Sequence, residues 1–243
     1  MDQRIAVGLV ENPCCWALEA LAAHVPGDQS AIEIGAYRGR TTGWLALGAQ
    51  GGNRAHVYSI DPWTSGSIPT GYADLSPSVS TYNASETKAA YDAHLKETGA
   101  ASFVTPIQAT AVEAAKTYDG PPVGLILHDG LHRAQDVAAD LRAWIKHTAD
   151  DAVIVLHDTD DARLGVSEGA ARVLATKANA EKWAWNGRVV HSWAKNAGKA
   201  PEQRRRGFTV VYTRASSYPQ LSAPITGRIC NEVTPRGCNL RGL

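Results

Sequence analysis

The sequence predicts an α/β fold, a Rossmann-like three-layer sandwich with a mostly parallel sheet and an antiparallel edge strand pair. Three observations predict it. Short apolar runs that suit buried strands alternate with segments of helical spacing between residues 31 and 157. The stretch Gly35-Ala36-Tyr37-Arg38-Gly39 joins the first of these strands to a helix through a tight turn, a geometry that lets backbone N–H groups approach a ligand closely. Asp61, Asp129 and Asp158 each close an apolar strand, and in open parallel sheets ligands bind at the carboxyl ends of strands, so these residues should meet Gly35 on one rim.

The elements follow in order. Residues 12–24 carry Trp16, Leu18, Leu21 and Ala22 at near-helical spacing, bounded by Pro13 and Pro26-Gly27, which predicts a helix packed before the first strand. The core then reads as strand 31–35, helix about 40–49, strand 55–60, helix about 86–97, strand 102–107, helix about 110–117 and strand 122–128. A helix at about 133–147 follows, with Val137, Leu141, Trp144 and Ile145 as its core stripe, and then a strand at 152–157. A helix over about 163–178 leads to the runs 188–193 and 208–213, which form the antiparallel edge pair. Between Asp61 and the helix near residue 86 lies a long polar stretch with Trp63, Tyr72 and Tyr82, predicted to be a lid over the substrate, with a disordered insert as the alternative.

The chain's 243 residues suit one domain with a substantial core. Lys plus Arg equals Asp plus Glu at 24 each, so the charge points away from nucleic acid or a membrane surface as partner. Met1-Asp2-Gln3-Arg4-Ile5 lacks a basic segment followed by an apolar one, and no apolar run approaches the roughly 20 residues of a membrane span, so a cytoplasmic protein is expected. Cys14-Cys15, Cys230 and Cys238 match no zinc spacing and are expected as thiols, with a Cys230–Cys238 disulfide as the alternative. A homo-oligomer is compatible with the sequence.

The spacing Gly-x-x-x-Gly within Glu33-Ile34-Gly35-Ala36-Tyr37-Arg38-Gly39-Arg40-Thr41-Thr42 is not the Gly-x-Gly-x-x-Gly fingerprint of dinucleotide sites, which argues against NAD. With the strand Ala55 to Ile60 and Asp61 at its tip, these residues resemble the cofactor site of the class I S-adenosylmethionine-dependent methyltransferases. The run Val123 to His132, a helix through Asp140-Leu141 and the run Ala152 to Thr159 are similar to the metal-carrying small-molecule O-methyltransferases. Within these the likeness is to the branch of sugar and macrolide O-methyltransferases and the so-called cephalosporin hydroxylase proteins, and it covers about residues 30–160.

The resemblance divides a single methyltransferase domain into an N-terminal helical segment (1–29), a cofactor-binding core (30–160), the lid (62–85), a C-terminal helix with edge strands (161–213) and a tail (214–243) of no assigned role. It implies S-adenosylmethionine as cofactor. Gly35 and Gly39 would receive its methionine part, with Tyr37, Thr41 and Thr42 of the same stretch among the binding residues. Asp61 would accept from its ribose, and Trp63 with Ala109 and Thr110 would form the adenine slot. Glu33, costly in an apolar strand unless it accepts hydrogen bonds, would support the glycine turn and the cofactor's amino end. The alternative is that Gly35 and Gly39 only turn the chain and that Asp61 caps the next segment.

Asp129, also counted in the cofactor site, and Asp158 would repel unless a cation or proton lay between them, and hard oxygen ligands favour Mg²⁺. Relatives carry a second acid or amide beside the Asp of the later strand, whereas this chain offers His157, Thr159, Asp160 and Asp161, so the third ligand stays open, with His157 put forward. His132 is positioned like the general base of the sugar branch and would act with a pKa near neutrality alongside Asp129. Helix N-capping is the alternative for the two Asp residues, and capping or packing for His132. His128 and His157, at inner strand ends, also suit structural roles.

The predicted activity is methyl transfer to the hydroxyl of a small molecule, a sugar or other natural-product intermediate, with Mg²⁺ assistance. Two rivals keep the fold: a nucleic-acid methyltransferase contacting phosphates through Arg204, Arg205 and Arg206, and a non-catalytic cofactor-binding protein.

Overall fold

The computed structural model describes residues 10, 12–64, 83–159, 164–185, 189–190 and 208–216. Helix α1 (Asn12–His24) precedes strand β1 (Ser30–Ile34), helix α2 (Arg40–Gly51) and strand β2 (His56–Ile60). Helix α3 (Ala84–Thr98), strand β3 (Val104–Ile107), helix α4 (Ala111–Thr117), strand β4 (Val123–His128), helix α5 (Ala134–Trp144) and strand β5 (Thr148–His157) follow. Helices α6 (Val166–Leu174) and α7 (Lys177–Ala180) lead to strands β6 (Val189–Val190) and β7 (Phe208–Tyr212).

Among the described residues seven strands form one sheet in the order β3-β2-β1-β4-β5-β7-β6. The first five are parallel, and β7 runs antiparallel to both β5 and β6, so the expected sandwich with its antiparallel edge pair is observed. Strands β1 and β4 are buried along their whole length, which is why they read as continuous apolar runs rather than alternating ones. One face of the sheet packs Leu18 and Leu21 of α1, Leu45 of α2 and Leu95 of α3 against Val57, Leu125 and Val153. The other packs Ala114 of α4, Leu141 and Trp144 of α5 and Val173 of α6 against Ile32, Ile126 and Ile154. Truncating a buried leucine such as Leu45 or Leu141 to alanine costs about 2–5 kcal/mol in cores of this kind.

Local sequence sets most helix ends. Asn83 caps α3 by accepting from the Glu86 backbone N–H, and Gly99 in the left-handed region ends that helix. Thr110 and Glu113 form a reciprocal capping box on α4. Gly48 lets α1 and α2 meet at backbone distance, since a Cβ there would stand 2.1 Å from the Glu19 carbonyl oxygen.

Several boundaries differ from the sequence expectation. The expected strand 102–107 begins only at Val104, because Ala100–Phe103 form a 3-10 turn. The helix expected to reach residue 147 ends at Trp144 and tightens into a 3-10 turn at Ile145–His147. Strand β5 starts at Thr148 rather than 152, its polar first residues pairing only at Thr148 with Val123 before a register shift. The helix expected over 163–178 is two helices, separated where Thr176 leaves the helical conformation and becomes the cap of α7. Most of the expected lid lies outside the described residues, as do Asp160, Asp161, Arg204 to Arg206, Cys230 and Cys238. Cys14 and Cys15 are buried thiols. No described helix is long and apolar enough to cross a membrane.

Candidate active site

The ends of four central strands are held together by main-chain bonds. Ile34 is in register with Ile60 and with His128, and His128 with Leu156, so the residues that follow all leave the sheet at one rim. Gly35 donates its N–H to the Ile60 carbonyl at 2.9 Å, and Asp129 donates to the Ile34 carbonyl at 2.8 Å. Gly35 has φ 91°, and a Cβ there would lie 2.3 Å from the Asp129 carbonyl oxygen, so both the conformation and the contact require glycine. The predicted convergence of Gly35, Asp61, Asp129 and Asp158 is therefore observed.

The glycine turn rests on a buried carboxylate. Glu33 is 0% exposed, and its oxygens accept from the hydroxyls of Thr41 at 2.5 Å, of Thr42, and of Ser59 at 2.7 Å. Burial pushes its carboxyl up to about 7, against the lowering effect of the three hydroxyls, and the nearby Asp129 charge adds to the rise. Thr41 and Thr42 are themselves buried. Glu33 thus supports the glycine turn as expected, through the hydroxyls of Thr41 and Thr42 at the start of α2 and of Ser59 in β2. Ser59 was not singled out in the sequence, although a serine two residues before Asp61 in an otherwise apolar strand end was the available signal.

Asp61 closes a latch across the same rim. Its Oδ2 accepts from the Tyr37 N–H at 3.0 Å and its Oδ1 from the Trp63 N–H at 2.8 Å, while the Trp63 indole N–H donates to the Tyr37 carbonyl at 2.9 Å. Tyr37 and Trp63 both have positive φ, 48° and 40°, so the latch joins two strained residues. The bond from Asp61 to Trp63 two residues on is a local Asx turn, so the capping alternative accounts for one oxygen and the cross-loop bond to Tyr37 for the other. Burial raises the Asp61 carboxyl above its ordinary range despite these backbone donors.

The residues expected around adenine follow β2, as Trp63, and β3, as Ala109 and Thr110. Trp63 is 3% exposed and packs on the Tyr91 ring at 4.8 Å between centroids, with Lys88 Nζ 5.1 Å from its own centroid, in the layer formed by α1 to α3. Ala109 packs in the opposite layer, and the Thr110 hydroxyl is engaged by Glu113. Gln108, beside Ala109, donates its Nε2 to the carbonyl of Pro62, beside Trp63, at 3.3 Å, so the two loops meet at the rim.

Past β4 and β5, two carboxylates and two imidazoles form one cluster. His132 Nε2 lies 3.1 Å from Asp158 Oδ2 and 3.9 Å from Asp129 Oδ1. His157 Nδ1 lies 3.1 Å from Asp129 Oδ1 and 3.2 Å from Asp158 Oδ1. Asp158 is 3% exposed with φ 60°, a conformation that Asp tolerates better than most residues and that aims its carboxylate back at the rim. Neither Asp caps a described helix: the residue preceding α5 is Arg133 and that preceding α6 is Gly165. The Gly165 N–H donates instead to the His132 carbonyl at 2.8 Å and so fixes the loop that carries the imidazole. His128, as expected for a structural residue, is buried and pairs with Asp140 at 3.1 Å.

The protonation pattern departs from expectation. Burial works against charge on His132, but hydrogen bonds to Asp129 and Asp158 and their charges outweigh it and raise the imidazole to about 9. His157 is raised well above its ordinary value for the same reasons, while both aspartates are held below theirs, burial being overcome chiefly by the His157 charge. The near-neutral His132 predicted from sequence is thus corrected: two anions within reach keep it protonated at pH 7. Ligand atoms of Asp129, His132 and Asp158 all lie within 4.8 Å of one another, close enough to share a metal ion. His157 adjoins the same carboxylates. The Thr159 hydroxyl accepts from Thr209 at 2.9 Å.

Residues 32–159, more than half of the chain, match a family model described as a methyltransferase domain. Among solved structures, the O-methyltransferase TomG from Streptomyces achromogenes, involved in tomaymycin synthesis and solved with SAM, is 18% identical with TM-score 0.58, covering 86% of this chain and 82% of its own. The O-methyltransferase from Bacillus cereus, solved with SAH, is 14% identical with TM-score 0.56, covering 86% and 84%. A putative rRNA methylase from Clostridium thermocellum is 14% identical with TM-score 0.55, covering 84% and 98%. These likenesses are of fold. No curated protein matches the sequence.

Proposed function

Because the chain belongs to the methyltransferase domain family, we propose that it moves the methyl group of S-adenosylmethionine to a hydroxyl of a small molecule, a sugar or other natural-product intermediate, with a divalent cation at the rim. The observation that carries this reading is the cluster of Asp129, His132, Asp158 and His157 on the same strand ends as the Gly35 turn and the Asp61 latch. A cofactor on the turn and an acceptor on the cluster would face each other across the rim, as an in-line displacement requires. The solved O-methyltransferases with bound SAM or SAH support the cofactor assignment by likeness of fold.

In the reaction the sulfonium carbon–sulfur bond breaks as an oxygen–carbon bond forms, leaving S-adenosylhomocysteine and releasing the acceptor's proton. Asp129 and Asp158, with His157 rather than His132 as the third donor, would hold the cation, Mg²⁺ on the reading of the two carboxylates alone. When bound, it would lower the acceptor hydroxyl's pKa. His132 Nε2 is the atom placed to take the proton, provided the imidazole has first lost the one that the two aspartates favour. Asp158 then orients the ring.

The test is turnover of methyl-labelled S-adenosylmethionine against a panel of sugar and phenolic hydroxyl acceptors, with and without chelator. Label on a small hydroxyl, lost on chelation and in Asp129→Asn, supports the reading. Label appearing on RNA instead moves the acceptor to nucleic acid, and cofactor binding without transfer to any acceptor supports a non-catalytic protein.

A further inference from the structure

We propose that Tyr91 is a positioning residue of the cofactor site: its ring backs the glycine turn and the Asp61 latch, and its hydroxyl joins the Glu33 network when the cofactor is bound. The proposal rests on the reading of the rim as a site for S-adenosylmethionine and concerns what holds that site in shape.

Tyr91 lies on α3 and is fully buried. Its ring touches both loops of the rim from the layer of α1 to α3. The Trp63 ring is 4.8 Å away between centroids, and a Cβ at Gly39, the residue before α2, would stand 3.0 Å from its Cδ2. Trp63 in turn donates its indole N–H to the Tyr37 carbonyl, so a single ring stands behind the turn and the latch together. Tyr37 and Trp63 both have positive φ, and residues in such conformations keep them only where the surrounding structure fixes them.

The hydroxyl supplies an independent observation. It is buried and aligned with no hydrogen-bond partner, although it lies beside the hydroxyls of Ser59 and Thr42 and within the field of Glu33. Ser59 and Thr42 both donate to Glu33 Oε2, so each keeps an oxygen lone pair to accept a further donor. A small shift of the ring would let Tyr91 donate to one of them and extend the chain that ends on the carboxylate. A buried hydroxyl without a partner is costly, so the free chain holds this donor in reserve. A cation over the turn, such as the amino end of the cofactor, strengthens the pull of the carboxylate on its donors and, through them, on Tyr91.

The experiment compares the full-length wild type with Tyr91→Phe, which keeps the ring and removes the hydroxyl. Calorimetry with S-adenosylhomocysteine, which carries the amino end, is set beside thermal melting of the ligand-free proteins. The expected result is a Kd raised about 3–10-fold with a ligand-free Tm that is unchanged or higher, because the hydroxyl removed had no hydrogen bond there. A purely structural role would instead lower affinity and Tm together. Tyr91→Leu, which removes the ring as well, should raise the Kd further and speed hydrogen exchange at the Tyr37 and Trp63 N–H groups. An unchanged Kd in Tyr91→Phe, or a raised Kd matched by a lower Tm, would overturn the proposal whether or not Tyr91→Leu folds. A wild type that binds neither S-adenosylmethionine nor S-adenosylhomocysteine overturns the cofactor reading itself, whereas wild-type binding equalled by Tyr91→Phe overturns only the role of Tyr91.

Discussion

His132 Nε2 and Asp158 Oδ2 stand 3.1 Å apart, although one residue lies in the loop after β4 and the other follows β5. This pair makes the imidazole a stronger base and, equally, keeps it protonated. A base must be neutral to accept a proton, so methyl transfer that uses His132 rises as pH increases through the pKa of the imidazole, which the two aspartates raise.

His132→Ala should therefore lower the transfer rate by about 10²–10⁴-fold and remove that alkaline limb. The comparison is a pH–rate profile of both proteins with the same acceptor. A variant that keeps full activity and the same profile shows that another group takes the proton.

Glu33 makes stability depend on pH in the opposite sense from a surface carboxylate. Its folded value of about 7 exceeds the ordinary 4.5, so the folded state binds the proton more tightly. The associated stabilisation is present below pH 4.5 and is lost as pH rises to about 7. Glu19, also raised to about 7 by burial, acts in the same direction. Glu33→Gln should flatten the fall in denaturant midpoint between pH 5 and 8 without abolishing it, and an unchanged slope would assign the fall to Glu19 and other groups.

Much of this architecture was legible in the sequence because parallel strands buried on both faces leave continuous apolar runs, as in Val123 to His128. The glycine turn and the acids at strand ends were legible for the same reason: they interrupt such runs. What was not legible depended on direction rather than identity. Trp63 read as a wall for adenine, and its packing on the Tyr91 ring depends on a positive φ that no pattern in the sequence shows. His132 reaches Asp158 from the loop after β4, held by the Gly165 N–H from a segment 33 residues downstream, a contact that no sequence spacing shows. The raised pKa of His132 follows from Asp129 three residues earlier as well as from Asp158 after β5.

Asp61→Ala should release the Tyr37 and Trp63 N–H groups together and leave two positive-φ residues without their shared acceptor. The expected loss is about 1–3 kcal/mol in cofactor binding, measured by calorimetry with S-adenosylhomocysteine. Unchanged affinity would mean that the latch shapes the loop without bearing on the cofactor.

The most direct measurement is calorimetric titration of the wild-type chain with S-adenosylmethionine and S-adenosylhomocysteine, with NAD alongside. The Gly35 turn, the Glu33 support and the Asp61 latch predict binding of both sulfur compounds with roughly micromolar Kd, about 8 kcal/mol, and none of NAD. Binding of NAD with no heat from either sulfur compound would contradict the account.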